Sequence, residues 1–147
     1  MSKATKYSEE IANIICGRLA EGESLRSICG DESTPCLRTV FDWLADDRYE
    51  AFRIKYARAR EAQADALFDE MIDIADDGRN DWMEKKNADG ENIGWTENGE
   101  ALRRSDLRIK TRQWMASKLQ PKKYGEKLAL TDGEGGPLKV EVVRFGE

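Results

Sequence analysis

The sequence of 147 residues contains no histidine, the side chain that most often acts as a general base or metal ligand near neutral pH. It also lacks the glycine-rich loops G-x-x-x-x-G-K-S/T and G-x-G-x-x-G, which hold nucleotide phosphates. Acidic pairs such as Asp76–Asp77 occur without the sequence pattern of a pocket. We therefore predict that the protein is not an enzyme and holds no metal or cofactor. A partner would perform any ATP or phosphodiester chemistry.

Cysteine is scarce and odd in number, with Cys16, Cys29 and Cys36 and no CxxC spacing. Zinc would need carboxylate ligands as well, so we interpret these residues as reduced, mostly packed thiols of a cytosolic protein. No run of 18 apolar residues predicts a membrane span. The first ten residues, MSKATKYSEE, lack the apolar region of a secretory signal.

Apolar side chains are also few, at 39% against a usual value of about 45–50%, while charged side chains reach 36%. A monomer of this composition is short of core, so we expect it to bury surface against copies of itself. The net charge of −5 is uneven: −3 over residues 1–46, −5 over 76–102 and +7 over 103–127. This distribution argues against a simple DNA-coating protein but marks one strongly basic segment.

The first 47 residues are predicted to form three short helices. Ser8 and Ser24 are suitable N-caps of the first two, and Thr34 is a suitable N-cap of a third from Pro35 to about Ala45. The predicted buried face of the third helix is Leu37, Val40, Phe41 and Leu44. Its predicted outer residues are Arg38, Thr39, Asp42 and part of Trp43. A tight turn before the third helix is typical of a helix-turn-helix, although a generic three-helix head that binds no DNA fits the same pattern.

A stretch of 28 residues without proline or glycine, Arg48–Ala75, predicts a helix about 42 Å long. Its first half is basic and its second half is acidic. Glu61 interrupts the heptad pattern, so a two-stranded coiled coil is not expected. Small residues in its apolar stripe would allow close approach of another helix. The stripe consists of Ala57, Ala64, Leu67, Phe68, Met71, Ile72 and Ala75.

A second long helix is predicted over Leu102–Leu119, and Pro121 ends it. If it folds back on the first, its positive charge meets the acidic half of that helix, which is the interpretation we prefer. The alternative is that the basic segment faces DNA phosphates. The residues predicted to form oligomer contacts are Ala57, Ala64, Phe68, Met71 and Trp114.

The segment between the long helices, residues 78–100, contains four glycines and turn signals at Asp89–Gly90 and Asn98–Gly99. Trp82, Ile93 and Trp95 flank the first turn, which predicts a short β-hairpin. We expect the two tryptophans to fasten this hairpin to the long helix rather than to stack on bases.

The C-terminal segment begins with a predicted flexible linker, Thr131–Pro137, and continues as a β-type run, Leu138–Phe145. A lone strand cannot satisfy its backbone hydrogen bonds, so we expect it to pair with the same strand of sister subunits. A disordered tail is the alternative. The predicted fold is therefore mainly α, with a helix-turn-helix head (1–47), central oligomerisation helices (48–127, with the insertion at about 78–100), and a linker and strand (128–147).

Three stretches carry a resemblance to a known family. They are Gly22–Leu25 followed by Thr39–Leu44, Tyr56–Asp65 continuing to Ile72–Asp76, and Leu107–Trp114 followed by Lys118–Gly125. The last contains the most specific motif, L-x-P-K-K-Y-G. The chain resembles the small terminase subunits of tailed bacteriophages, which are DNA-packaging proteins.

The resemblance implies a ring of about eight to ten subunits that recognises packaging-site DNA and recruits the large terminase subunit, the ATPase and nuclease, in the host cell cytoplasm. It also implies that the C-terminal strands can close an intersubunit β-barrel. The residues expected to contact double-stranded DNA are Lys3, Lys6, Arg26, Arg38 and Thr39. Those expected to contact the large subunit are Val140, Val142 and Phe145.

Two other functions are compatible with parts of the pattern. A helix-turn-helix transcription regulator would dimerise through the long helix and bind a palindromic operator. A purely structural helical assembly factor would show no salt-dependent DNA binding. The native mass is the measurement that best separates a ring from a dimer.

Overall fold

The computed structural model describes residues 6–127, 131 and 134–137, and these residues are mainly helical, as the sequence predicts. Among them, no helix is both long enough and apolar enough to cross a membrane. In chain order the elements are α1 (Glu9–Ala20), α2 (Leu25–Ile28), α3 (Leu37–Ala45), a 3-10 turn (Asp47–Tyr49), α4 (Glu50–Asp76), β1 (Trp82–Lys86), β2 (Asn92–Glu97), α5 (Gly99–Leu119) and α6 (Pro121–Tyr124).

The caps of the first two helices are confirmed. The Ser8 side chain accepts a hydrogen bond from the Ile11 amide at 3.2 Å, and the Ser24 side chain accepts one from the Ser27 amide at 3.1 Å. The prediction for the third helix is wrong in detail, because α3 begins at Leu37 and Cys36 is its N-cap. Thr34 is buried instead, and its hydroxyl donates to the carbonyl of Ile28 at 2.5 Å. Thr34 therefore closes the turn between α2 and α3.

The core of the head contains an aromatic cluster that corrects the predicted faces of α3. Trp43 is 7% exposed, and its ring lies 5.2 Å from that of Tyr7 and 6.1 Å from that of Phe52. Phe41, predicted to be buried, is 54% exposed. Val40 and Trp43, three residues apart, share the inner face of the helix, which turns Phe41 outward.

Helix α4 is the spine that the rest of the chain packs against. Its first half belongs to the head, because Phe52 and Ala59 lie in the head core. The Gln63 side chain is buried there, donates to the Glu23 carbonyl at 2.8 Å and accepts from Arg60 at 2.8 Å. The turn after α1 also lies against α4, since a Cβ on Gly22 would be 3.7 Å from the Cβ of Ala66.

Helix α5 returns antiparallel to the second half of α4. Arg112 reaches Glu70, whereas Lys123, eleven residues later, reaches Asp65 earlier on α4. The preferred prediction, that the basic segment meets the acidic half of the long helix, is confirmed for these pairs. Ala116 is the fully buried residue of α5.

The predicted hairpin is present, with β1 and β2 antiparallel around the Asp89–Gly90 turn. The prediction that its tryptophans fasten it to the long helix is wrong. Trp82 is 62% and Trp95 is 65% exposed, and within the described ranges the hairpin makes no extensive contact with a helix. Its base is closed by the Asn98 amide, which donates to the Asp81 carbonyl at 2.7 Å.

Some predicted features fall outside the described residues. They are Lys3, the strand over Leu138–Phe145, and the partner-contact residues Val140, Val142 and Phe145. Within the predicted linker, Thr131 and Pro137 form an isolated antiparallel bridge.

Candidate nucleic-acid interface and assembly surfaces

Helix α3 is the third helix of the head, the position that a recognition helix takes in a helix-turn-helix. Its outer face consists of Arg38, Phe41, Asp42 and Ala45, which are all exposed. These positions point outward because Val40 and Trp43 occupy the inner face. The Arg38 side chain is 89% exposed, and among the described residues its salt-bridge contact is with Asp42 at 3.9 Å. An arginine held this loosely is free to reach a phosphate or a guanine edge.

The other predicted DNA-contact residues differ in their exposure to solvent. Lys6 and Arg26 are exposed, before α1 and on α2. Thr39 is half-buried, and its hydroxyl lies 3.3 Å from the Cys36 sulfur at the start of the helix. Sequence reasoning missed Phe41, because the spacing within α3 does not show that Trp43 rather than Phe41 faces the core.

Several other cations in or beside the head are already paired within the protomer. Arg18 forms two 2.7 Å hydrogen bonds with Glu23, and this contact lowers the pKa of the Glu23 carboxyl. Arg48 likewise holds the pKa of Asp46 at about 2. Lys55 donates to the Asn13 side chain at 2.6 Å. A single head therefore offers few cations to DNA.

The predicted oligomer contacts are distributed differently from the sequence pattern. Ala64 is fully buried inside the protomer, so it is not available to a second copy. Ala57 and Trp114 are exposed, and Met71 is half-buried. Phe68 is partly exposed but already stacks on Tyr124, with ring centroids 4.9 Å apart.

The L-x-P-K-K-Y-G motif forms a clasp on α4. The Gln120 side chain donates to the Glu61 carbonyl at 2.5 Å. Lys123 and Tyr124 both donate to Asp65, at 2.8 and 2.6 Å, and together they lower the pKa of this carboxyl. These contacts fasten the end of the α5 segment to the middle of the spine.

The glycine that ends this clasp is required by space. A Cβ on Gly125 would overlap the carbonyl oxygen of Pro121, to which the Gly125 amide donates at 3.0 Å. The motif thus carries a steric requirement at its C-terminal glycine.

A second contact joins α5 to α4. The Arg112 guanidinium on α5 donates two 2.7 Å hydrogen bonds to the Glu70 carboxylate on α4. Arg108 adds a contact at 3.8 Å. Arg112, followed by the charge of Arg108, lowers the pKa of the Glu70 carboxyl. In the part of the chain that the structure describes, no cluster of three or more acidic or cysteine side chains is arranged to hold a metal.

The model of a family described as "Bacteriophage Sf6, terminase small subunit-like" matches residues 7–131, which include the head, α4, the hairpin, α5 and the clasp. The chain belongs to this terminase small subunit family. The match confirms the resemblance carried by the sequence motifs.

Solved structures agree with the family assignment. Three crystal structures of the terminase small subunit gp1 of the bacterial virus Sf6, each with a different single substitution, resemble this terminase small subunit. Each is 33% identical, with a TM-score of 0.67 over 97% of this chain and 96% of the other. No curated protein is significantly similar in sequence.

Proposed function

We propose that this terminase small subunit forms a ring, recognises packaging-site DNA through its heads and recruits the large terminase subunit. The observation that carries the DNA role is the outer face of α3, which is exposed on a head seated firmly on α4. A recognition element held by a rigid scaffold is what directional contact with a DNA groove requires.

Within each head, α3 enters the major groove. Arg38 contacts a phosphate or base edge, and Phe41 supplies an apolar contact of the kind that suits a thymine methyl. Lys6 and Arg26 contact phosphates, and Thr39 is placed to assist at the start of the helix.

Assembly compensates for the weak charge of a single head. Asp42 lies on the outer face of α3, and most neighbouring cations are engaged in the protein's own ion pairs. Linking several heads in one ring raises the effective concentration of each at its DNA site. A ring of about eight to ten subunits therefore binds tightly with weak individual contacts.

The C-terminal segment, residues 128–147, contacts the large terminase subunit in this proposal, through Val140, Val142 and Phe145. A chain ending at residue 127 is expected to lose association with the large subunit in a pull-down. Its native mass is measured alongside, because the strand over Leu138–Phe145 is also expected to pair between subunits. Retention of the large subunit by the shortened chain would place the contact elsewhere.

Arg38→Ala is expected to weaken binding to cognate double-stranded DNA about fivefold or more, because the change removes an exposed cation from the outer face of α3. Fluorescence anisotropy over a series of salt concentrations measures both the affinity and its salt dependence. The salt slope is expected to fall by about one for each head that loses a phosphate contact.

Two matched variants sharpen this test. Arg79→Ala removes the same charge from an exposed site outside the head and is expected to leave the affinity nearly unchanged. Asp42→Asn removes the carboxylate beside Arg38 and is expected to strengthen binding. An equal loss for the arginine variants at positions 38 and 79 would refute the role of the head, since net charge alone would then explain both.

A further inference from the structure

The hairpin presents one face on which apolar and acidic side chains alternate. In the antiparallel register Trp82 lies opposite Glu97, and Glu84 lies opposite Trp95. Residues directly opposite one another point to the same side of a sheet, as do residues two apart on one strand. Trp82, Glu84, Trp95 and Glu97 therefore form a single surface, which we name the hairpin face.

Within the part of the chain that the structure describes, the hairpin face is uncovered. Both tryptophans are more than 60% exposed, and within the described residues no helix packs extensively on the hairpin. A two-stranded hairpin is only marginally stable in water by itself. Large exposed aromatic side chains with a charged surround are typical of a protein–protein contact.

Helix α5 carries a surface of matching character. Leu107 and Trp114, seven residues apart, lie on one side of the helix and are each 65% exposed. Cations surround them, and the Lys118 ammonium lies 5.9 Å from the centre of the Trp114 ring. We name this surface the α5 outer face; its residues are Arg103, Leu107, Lys110, Trp114 and Lys118.

We propose that the hairpin face of one subunit docks on the α5 outer face of a second copy of this chain. The inference deepens the ring of the proposed function, on which it rests. Two indole rings meet Leu107 and Trp114, while two carboxylates meet the cations beside them. Complementary charge selects the orientation, and the aromatic contacts supply most of the affinity.

Exposed ion pairs within the protomer do not compete strongly with this contact. Glu84 lies 3.6 Å from Lys86, and Lys110 lies 2.7 Å from Asp106. Both pairs are largely exposed, and such pairs contribute little because water and salt screen them. They can be exchanged for pairs between subunits at low cost.

The two faces are different surfaces of the same chain, so they can meet head-to-tail, and the ring of the proposed function requires this arrangement rather than a reciprocal two-fold contact. Each subunit uses its hairpin toward one neighbour and its α5 toward the other. Repetition of a head-to-tail contact closes a ring when the rotation permits it. The segment between the long helices thereby acquires a role in assembly.

Native mass spectrometry of full-length variants tests the contact. Trp82→Ser with Trp95→Ser removes the hairpin face, and Leu107→Ser with Trp114→Ser removes the α5 outer face. Each double variant is expected to lose the oligomer and appear at the 16.7 kDa monomer mass. Mixing the two is expected to produce a one-to-one dimer, because one intact pair of faces remains.

Charge reversal provides an independent arm. Glu84→Lys with Glu97→Lys is expected to dissociate the ring, as is Lys110→Glu with Lys118→Glu. Combining all four changes in one chain is expected to restore the oligomer. Failure of this combination to reassemble, when each pair alone dissociates the ring, would overturn the proposed pairing.

Met83→Ser is the matched control, because Met83 is exposed on the opposite face of the same hairpin and should leave the mass unchanged. A monomeric wild-type chain would refute the ring itself. A wild-type oligomer with unchanged mass in both tryptophan and leucine variants would refute only this contact. This contact would also be refuted if those variants kept the mass of the oligomer but no longer bound DNA or the large subunit, since the two faces would then bind that partner.

Discussion

Phe52→Ala is expected to lower the free energy of unfolding of the head by about 3–5 kcal/mol, the usual range for removing a buried aromatic side chain. Phe52 is 1% exposed and contacts the rings of Tyr7, Trp43 and Tyr56. The cavity left by the ring lies at the junction of the head and α4, where packing from both must relax.

Urea unfolding followed by tryptophan fluorescence measures this effect. Trp43 is buried, whereas the other three tryptophans are well exposed, so the blue-shifted part of the emission reports on the head. Ile54→Ala is the control, because this half-exposed residue lies two positions away on the same helix. It is expected to cost less than about 1 kcal/mol. Equal losses for the two variants would contradict the assignment of Phe52 to the head core.

Gly125→Ala is expected to destabilise the clasp by about 1–3 kcal/mol, because the added methyl group overlaps the backbone carbonyl of Pro121 and the turn must shift to accept it. The clasp contacts of Lys123 and Tyr124 with Asp65 should weaken together. Amide hydrogen exchange provides the measurement, with faster exchange expected in α6 and at the end of α5.

Gly17→Ala is the matched control for this substitution. Gly17 is an exposed residue inside α1, and a Cβ there would meet nothing within 4 Å. Alanine is the better helix former, so stability is expected to be unchanged or to rise by up to about 1 kcal/mol. Unchanged exchange in α6 of the Gly125 variant would show that the turn can shift without opening the clasp.

The elements that the sequence predicted correctly depend on near neighbours. Ser8 and Ser24 cap helices through contacts three residues away, and the Asp89–Gly90 pair makes its turn locally. The long helix starts two residues later than predicted and ends one residue later. The absence of proline and glycine permits an uninterrupted helix of this length, which is why its bounds could be predicted closely.

The errors concern side chains whose position depends on distant segments. Phe41 and Trp43 are both large and aromatic, so periodicity within nine residues could not decide which faces the core. Contacts of Trp43 with Tyr7 and Phe52 made that choice. Ala64 was chosen for its small size, which suits a helix contact inside a protomer as well as between protomers.

The candidate DNA surface could be predicted only where it depends on local spacing. Arg38 was placed outside α3 by helical spacing, and its exposure agrees. Spacing does not show which other cations are held in ion pairs within the protomer. Arg18, for example, pairs with Glu23 and Asp31 across a turn. Lys55 joins Asn13 on another helix.

By itself, the sequence determined the helical class, the length of α4, the family, and the opposite charges of the second half of α4 and of the α5 segment. These features depend on composition, local spacing and short motifs. Only the tertiary structure decided that L-x-P-K-K-Y-G is a clasp on Asp65, that Ala64 is internal and that the hairpin tryptophans are exposed. Those outcomes depend on how helices distant in sequence approach one another, and packing over many side chains sets that approach.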